Sequence, residues 1–243
     1  PVLVYSTYLE GNSNDGSYRV FVDSSGSAYA TGGTESTTFP TTAGAFQTAF
    51  QGQNANCTEE PSLQCGDAFV TKMNPAGSAL VWSTYLGGTS SDAGFAISAD
   101  ASGVYVAGQT SSSDFPVTAG AFQTTLPASS TRGGFITKLN STGSALVYST
   151  YLAGSSLTAT TADKLRGLAV DASGNAYVTG GTQSPEFPVT AGAFQQTLAG
   201  ASNAFVSKMN PTGTALAYST YIGGTGSDAA NSIAIDASGN AYI

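Results

Sequence analysis

The chain of 243 residues contains no histidine, only seven lysines and arginines, and two cysteines. Each scarcity removes a class of chemistry. Without histidine there is no Ser–His–Asp or Cys–His constellation, and zinc hydrolysis loses its usual ligand. Seven cations against fifteen acidic residues give a net charge of −8, which cannot build a basic stripe to track phosphates or an anionic membrane surface. Nucleic acid and membrane insertion are therefore not expected, and no apolar run approaches the roughly 20 residues of a spanning helix. Charged residues make up 9% of the chain, well below the usual proportion of about a quarter, while hydrophobic residues reach 41% and aromatics 10%. Such a chain can bury a core.

The cysteines, Cys57 and Cys65, share one polar loop, "NANCTEEPSLQCGDAF". A local disulfide in an oxidising compartment is the favoured reading, and the rival is half of a metal site. The chain opens on Pro1 and stops at "GNAYI", part-way through a phrase that elsewhere continues "VTGGT". This predicts a piece of something longer.

What is present is repetition. "LVYSTYL" at Leu3 returns as "LVWSTYL" from Leu80, "LVYSTYL" from Leu146 and "LAYSTYI" from Leu216, at intervals of 77, 66 and 70 residues. Three other phrases keep step: "VDASGNAYVTGGT" and its variants, "FPVTAGAFQ", and "AFVSKMN". Length differences fall between the phrases, where surface loops absorb them. Each unit reads as four strands, for example "GLAVD", "AYVTGG", "AFVSKMN" and "ALAYSTYIGG", with Gly- and Asn-bearing turns between the first and last pairs. The only helix-like segment is the short "TAGAFQQT" link, at most a single turn. Tandem four-stranded antiparallel units predict an all-β fold, a β-propeller. The units run approximately 15–86, 92–152 and 163–222, with partial units at 1–9 and 228–243, read as one domain over 1–243. The missing third strand of the joining blade argues for a segment of a larger ring over a closed one of four blades.

The combination "DASGNAYVTGGT…FPVTAGAFQ…AFVSKMNPTGTALAYSTYIGG" resembles the SBBP repeat, a bacterial β-propeller repeat of secreted and cell-surface proteins. The resemblance implies a propeller in an extracellular or surface setting, and no catalytic residues.

Asp15/Asp23, Asp92/Asp100, Asp163/Asp171 and Asp228/Asp236 each keep a spacing of eight. Asp15, Asp92, Asp163 and Asp228 are candidate calcium-type sites, since calcium takes six to eight oxygens. The competing and weightier reading is that each aspartate caps a turn. The two members of a pair lie roughly 25 Å apart along a strand and cannot share an ion. No cofactor other than calcium is expected. Lys72, Lys138 and Lys208 recur once per unit, which points to pairing with aspartate or covering an apolar face. Phe187 and Phe194 could line a groove, but filling the wedge between neighbouring blades is favoured. The aromatic of "YSTY" or "WSTY" is either a sugar platform or packing. The expected role is a non-enzymatic extracellular scaffold or adhesion module with protein or glycan partners. The alternatives are a filament or layer subunit whose strands a neighbouring chain completes, and a carbohydrate-binding or carbohydrate-cleaving propeller.

Overall fold

A computed structural model describes residues 2–52, 66–127, 130–155 and 163–243. It contains fourteen strands and, among the described residues, no helix. Three four-stranded sheets follow the chain in order. The first holds β1 (Asp15–Val22), β2 (Ala28–Thr34), β3 (Asp67–Met73) and β4 (Leu80–Leu86). The second holds β5 (Asp92–Asp100), β6 (Gly103–Thr110), β7 (Gly133–Leu139) and β8 (Leu146–Leu152). The third holds β9 (Lys164–Val170), β10 (Ala176–Thr182), β11 (Asn203–Met209) and β12 (Leu216–Ile222). A two-stranded sheet of β13 (Ala234–Ile235) and β14 (Ala241–Tyr242) follows. These are the four strands per repeat that the phrases predict, one blade to a repeat. The "AGAFQ" link is a turn only, closed by Ala193 N–H donating to Thr190 O at 3.1 Å.

The chain divides into two compact units. One comprises Pro1–Val106, Ser112–Pro116 and Leu139–Leu146; the other comprises Ala107–Ser111, Val117–Lys138 and Val147–Ile243.

In the first unit β1 to β4 pair antiparallel, with β2 against β3 in unbroken register from Ala28↔Met73 to Thr34↔Asp67. The register slips between β1 and β2 at Ser17/Arg19, where the Gly16 carbonyl crowds Gly32 so closely that a side chain there would collide with it. Phe39, Phe69 and Tyr85 form the buried core beside this sheet, and β5 packs on β1, β2 and β3. Ile97 on β5 is only 5% exposed, whereas its counterpart Val20 on β1 is 57% exposed. Val20 and Val22 alternate onto one face of β1, and that face is uncovered.

The second unit repeats the plan. The β10–β11 register runs from Ala176↔Met209 to Thr182↔Asn203, and the same slip recurs at Thr179/Gly180. Tyr177, Val206 and Ile233 form its core cluster, with Ile233 supplied by the segment before β13.

Residues 3–9 carry the fourth-strand phrase but form no strand. Leu3, Val4 and Tyr8 are exposed, and among the described residues no strand pairs with this segment. Tyr5 nonetheless lies against Gly77, which a side chain could not replace without striking the ring.

Candidate functional site: repeated carboxylates

The fourth-strand phrase ends in a glycine-bearing loop that turns back into the next repeat, and the first aspartate of each pair holds that loop through the N–H of Gly11, Gly88, Gly154 or Gly224. Asp15 accepts from Gly11 N at 2.7 Å, Ser36 Oγ at 2.9 Å and Thr34 Oγ1. Asp92 accepts from Gly88 N at 2.8 Å and Ser112 Oγ at 2.9 Å. Asp163 accepts from Gly154 N at 2.8 Å and from Thr182 Oγ1, and Asp228 accepts from Gly224 N at 2.9 Å. Each of the four candidate calcium residues thus has its Oδ2 engaged by a loop N–H donor that a cation there would have to displace. Among the described residues no group of three or more His, Cys, Asp or Glu is placed to hold a metal ion. Asp163 is almost fully buried, and that burial pushes its carboxyl up to about 6 against the donations of Thr182 and Gly154.

The second aspartate caps the first hairpin. Asp171 Oδ1 accepts from Ser173 N and Asn175 N at 3.0 and 2.9 Å, and the turn places Gly174 at φ 82°. Asp23 and Asp236 do the same, and Tyr29, Tyr105, Tyr177 and Tyr242 each donate a phenol to the capping aspartate. The Ser25 hydroxyl and other donors draw Asp23 down to about 2. Burial tends to raise Asp171, but its donors outweigh it and leave it below the ordinary carboxylate value. The repeated lysines close this cap, as their recurrence predicts. Lys72 lies 3.8 Å from Asp23 and over the Tyr29 ring, and Lys208 lies 3.4 Å from Asp171 and over Tyr177. Lys138, the third, is buried.

The aromatics depart from expectation. Phe39 and Phe187 find their aromatic partners within one blade, and Leu9 of the preceding partial repeat packs against the Phe39 cluster. The two phenylalanines lie 4.5 Å from Phe69 and 4.4 Å from Phe205 between ring centroids. Their N–H groups donate to the Tyr85 and Tyr221 hydroxyls, which in turn donate to Ser36 O and Ser184 O. The "FP" link is therefore anchored to its own fourth strand, and that fixes where the ring points. The joining role falls to the "STY" aromatic. Trp82 stacks over Gly143 in the next repeat's last hairpin and donates Nε1–H to Ser141 O at 3.1 Å, and Tyr148 covers Gly213 in the same way. Phe46 and Phe122 donate their backbone N–H to those same turns, at Gly143 O and Gly213 O. Phe194 is 87% exposed.

Two groups of functional weight escape a search for repeats. At the start of the third strand the residue varies: Asp67, Gly133 and Asn203. Asp67 is fully buried, accepts from Gln47 Nε2 at 3.1 Å and Gln51 N at 2.9 Å, and is raised to about 7 by that burial. The signal for it was the repeated glutamine of "AGAFQ", whose amide has to find a partner. The second group is a set of cations, Arg132 ahead of β7 with Lys164 and Arg166 on β9. Cys57 and Cys65 lie outside the described residues.

The SBBP β-propeller repeat model matches residues 147–188 and 217–243. Those two stretches carry SBBP β-propeller repeats. The matched residues hold β8 to β10 with their turns, and β12 to β14, so the family pattern coincides with the strands, caps and "STY" aromatics described above. No curated protein matches the chain.

Proposed function

We propose that this propeller segment is a non-enzymatic scaffold or adhesion module at the outside of a bacterial cell. The observation that supports it is the use of the repeated polar side chains. Asp15, Asp92, Asp163 and Asp228 hold loops, and Asp23, Asp171, Lys72 and Lys208 close hairpins. Chemistry spent on the frame leaves the weakly charged loops between blades to make contacts. Antibody labelling of intact cells, with glycosidase assays on the purified protein, tests this. Surface labelling without turnover is the expected result. Confinement to the cytoplasm, or hydrolysis of any glycoside, would overturn it.

A second reading, self-association, has its own support. The face of β5 that carries Ile97, and that of the segment carrying Ile233, are each covered by the preceding blade, leaving 5% and 8% exposure. The same face of β1 leaves Val20 and Val22 at 57% and 58%. The partner that fits is a blade of this same repeat, supplied by a second copy. Sedimentation at rising concentration should show association that Val20→Lys abolishes. A monomer at every concentration would exclude it.

A further inference from the structure

The basic residues are not evenly placed. Three of the chain's seven lysines and arginines border one open cleft of about 250 Å³ in the second unit. Arg132 precedes β7, Lys164 opens β9, and Arg166 follows two residues later on the same face of that strand, with the intervening Leu165 fully buried on the other. Gln183, Ser202 and Asp228 complete the polar lining.

These cations interrupt the repeat. Counted from the first aspartate of each repeat, the position of Lys164 is Gly16, Ala93 and Ala229 elsewhere, and that of Arg166 is Tyr18, Phe95 and Asn231. The position of Arg132 is Gly66 and Ser202. In the first unit, Tyr18 and Phe95 meet as an aromatic pair with centroids 5.2 Å apart. In the second, the corresponding residues are Arg166 and Asn231, and the Arg166 guanidinium donates to Asn231 Oδ1 at 2.8 Å. A packed aromatic contact has been exchanged for a held guanidinium beside two more cations. Repeated residues serve the frame, so a concerted departure at three positions calls for another cause.

Desolvation and mutual repulsion both act on this cluster. Burial draws Arg132 and Lys164 below their ordinary values, and Arg166 and Arg132 depress Lys164 further. Asp228 also lines the cleft, its Oδ2 accepting from Gly224 N and Asn203 Nδ2.

We propose that this cleft binds an oxyanion, a carboxylate, sulfate or phosphate group, gripped by Arg166, Lys164 and Arg132. A guanidinium held by Asn231 presents its remaining N–H donors in the planar fork that suits a two-oxygen anion. Concave walls concentrate the field of the three cations on a chain that is otherwise strongly acidic. Ser202 and Gln183 provide neutral hydrogen-bonding groups for the rest of the ligand.

Calorimetric titration at low ionic strength with sodium phosphate, sodium sulfate and sodium galacturonate tests the proposal. At least one should bind saturably, about tenfold more weakly to Arg166→Gln, and more weakly again at high salt. Tighter galacturonate identifies an acidic sugar as the source of the anion, and tighter phosphate or sulfate identifies the inorganic group. Lys164→Gln provides a second reading if Arg166→Gln fails to fold. Lys72→Gln, which removes a cation in the first unit, should leave binding unchanged. No saturable binding of any probe, or equal binding by the Arg166 and Lys164 variants and the parent, would overturn the assignment.

Discussion

The first and third blades solve the same structural problem with different atoms. Both start their third strand opposite a buried threonine, Thr34↔Asp67 in one and Thr182↔Asn203 in the other. In both, a repeated glutamine bridges: Gln47 Nε2 donates to Asp67 and Gln195 Nε2 to Asn203, while Gly87 N and Gly223 N donate back to the glutamine oxygens. The difference lies in the remaining side-chain atom. Asn203 Nδ2 donates to Gly224 O at 3.0 Å and to Asp228 Oδ2 at 3.3 Å. Asp67 places Oδ1 there instead, buried and without a partner. A Cβ on Gly87 would lie 2.5 Å from that oxygen and 2.7 Å from Asp92 Oδ2, so the two carboxylates converge on one small space. Only a protonated Asp67 can donate as Asn203 does. Burial lifts its carboxyl to about 7 and supplies that proton across the acid range.

The comparison can be broken from either side. Asn203→Asp puts an unneutralised carboxylate against Asp228 and should cost about 3–5 kcal/mol at pH 8, with much of the loss recovered at pH 5. Chemical denaturation at the two pH values reads this directly. Truncating the bridging glutamine is the next largest effect. Gln47→Ala and Gln195→Ala should each lose about 1–3 kcal/mol. Only the former should carry a pH dependence, because the Gln47 hydrogen bond helps to keep Asp67 acidic. The smallest effect concerns the partly exposed hairpin cap. Asp23 lies below its unfolded value, so its contribution is present above about pH 4 and fades as pH falls toward 2. Asp23→Asn should therefore leave stability nearly unchanged below pH 3 and lower it slightly at neutral pH, as followed by thermal melts.

Much of the frame was legible in the sequence because it is written several times. The strands, the Asp-capped hairpins and the lysines that answer the caps of Asp23 and Asp171 follow from phrases in which polar and apolar positions recur together. Repetition also misled. A search for sameness passes over the position occupied by Asp67, Gly133 and Asn203, where the chemistry changes while the hydrogen-bonding need does not. It also counts Arg132, Lys164 and Arg166 as sparse charge, because only folding brings them round one cleft. The aromatics were legible in kind but not in direction. Nothing local says that Phe39 turns into its own blade while Trp82 reaches Gly143, since each depends on which backbone turn lies opposite.

Repeat positions are filled to satisfy the blade, with Asp67 acting as a proton-bearing substitute for asparagine. A raised carboxyl contributes stability below its unfolded value near pH 4 and loses it as pH climbs through about 7, a span worth up to about 4 kcal/mol. The decisive measurement is the unfolding free energy of Asp67→Asn minus that of the parent, followed from pH 4 to pH 8.5. The difference should be near zero at pH 4 and rise in favour of the variant through pH 7. A difference independent of pH, or a parent stabilised by calcium through Asp67, would contradict it.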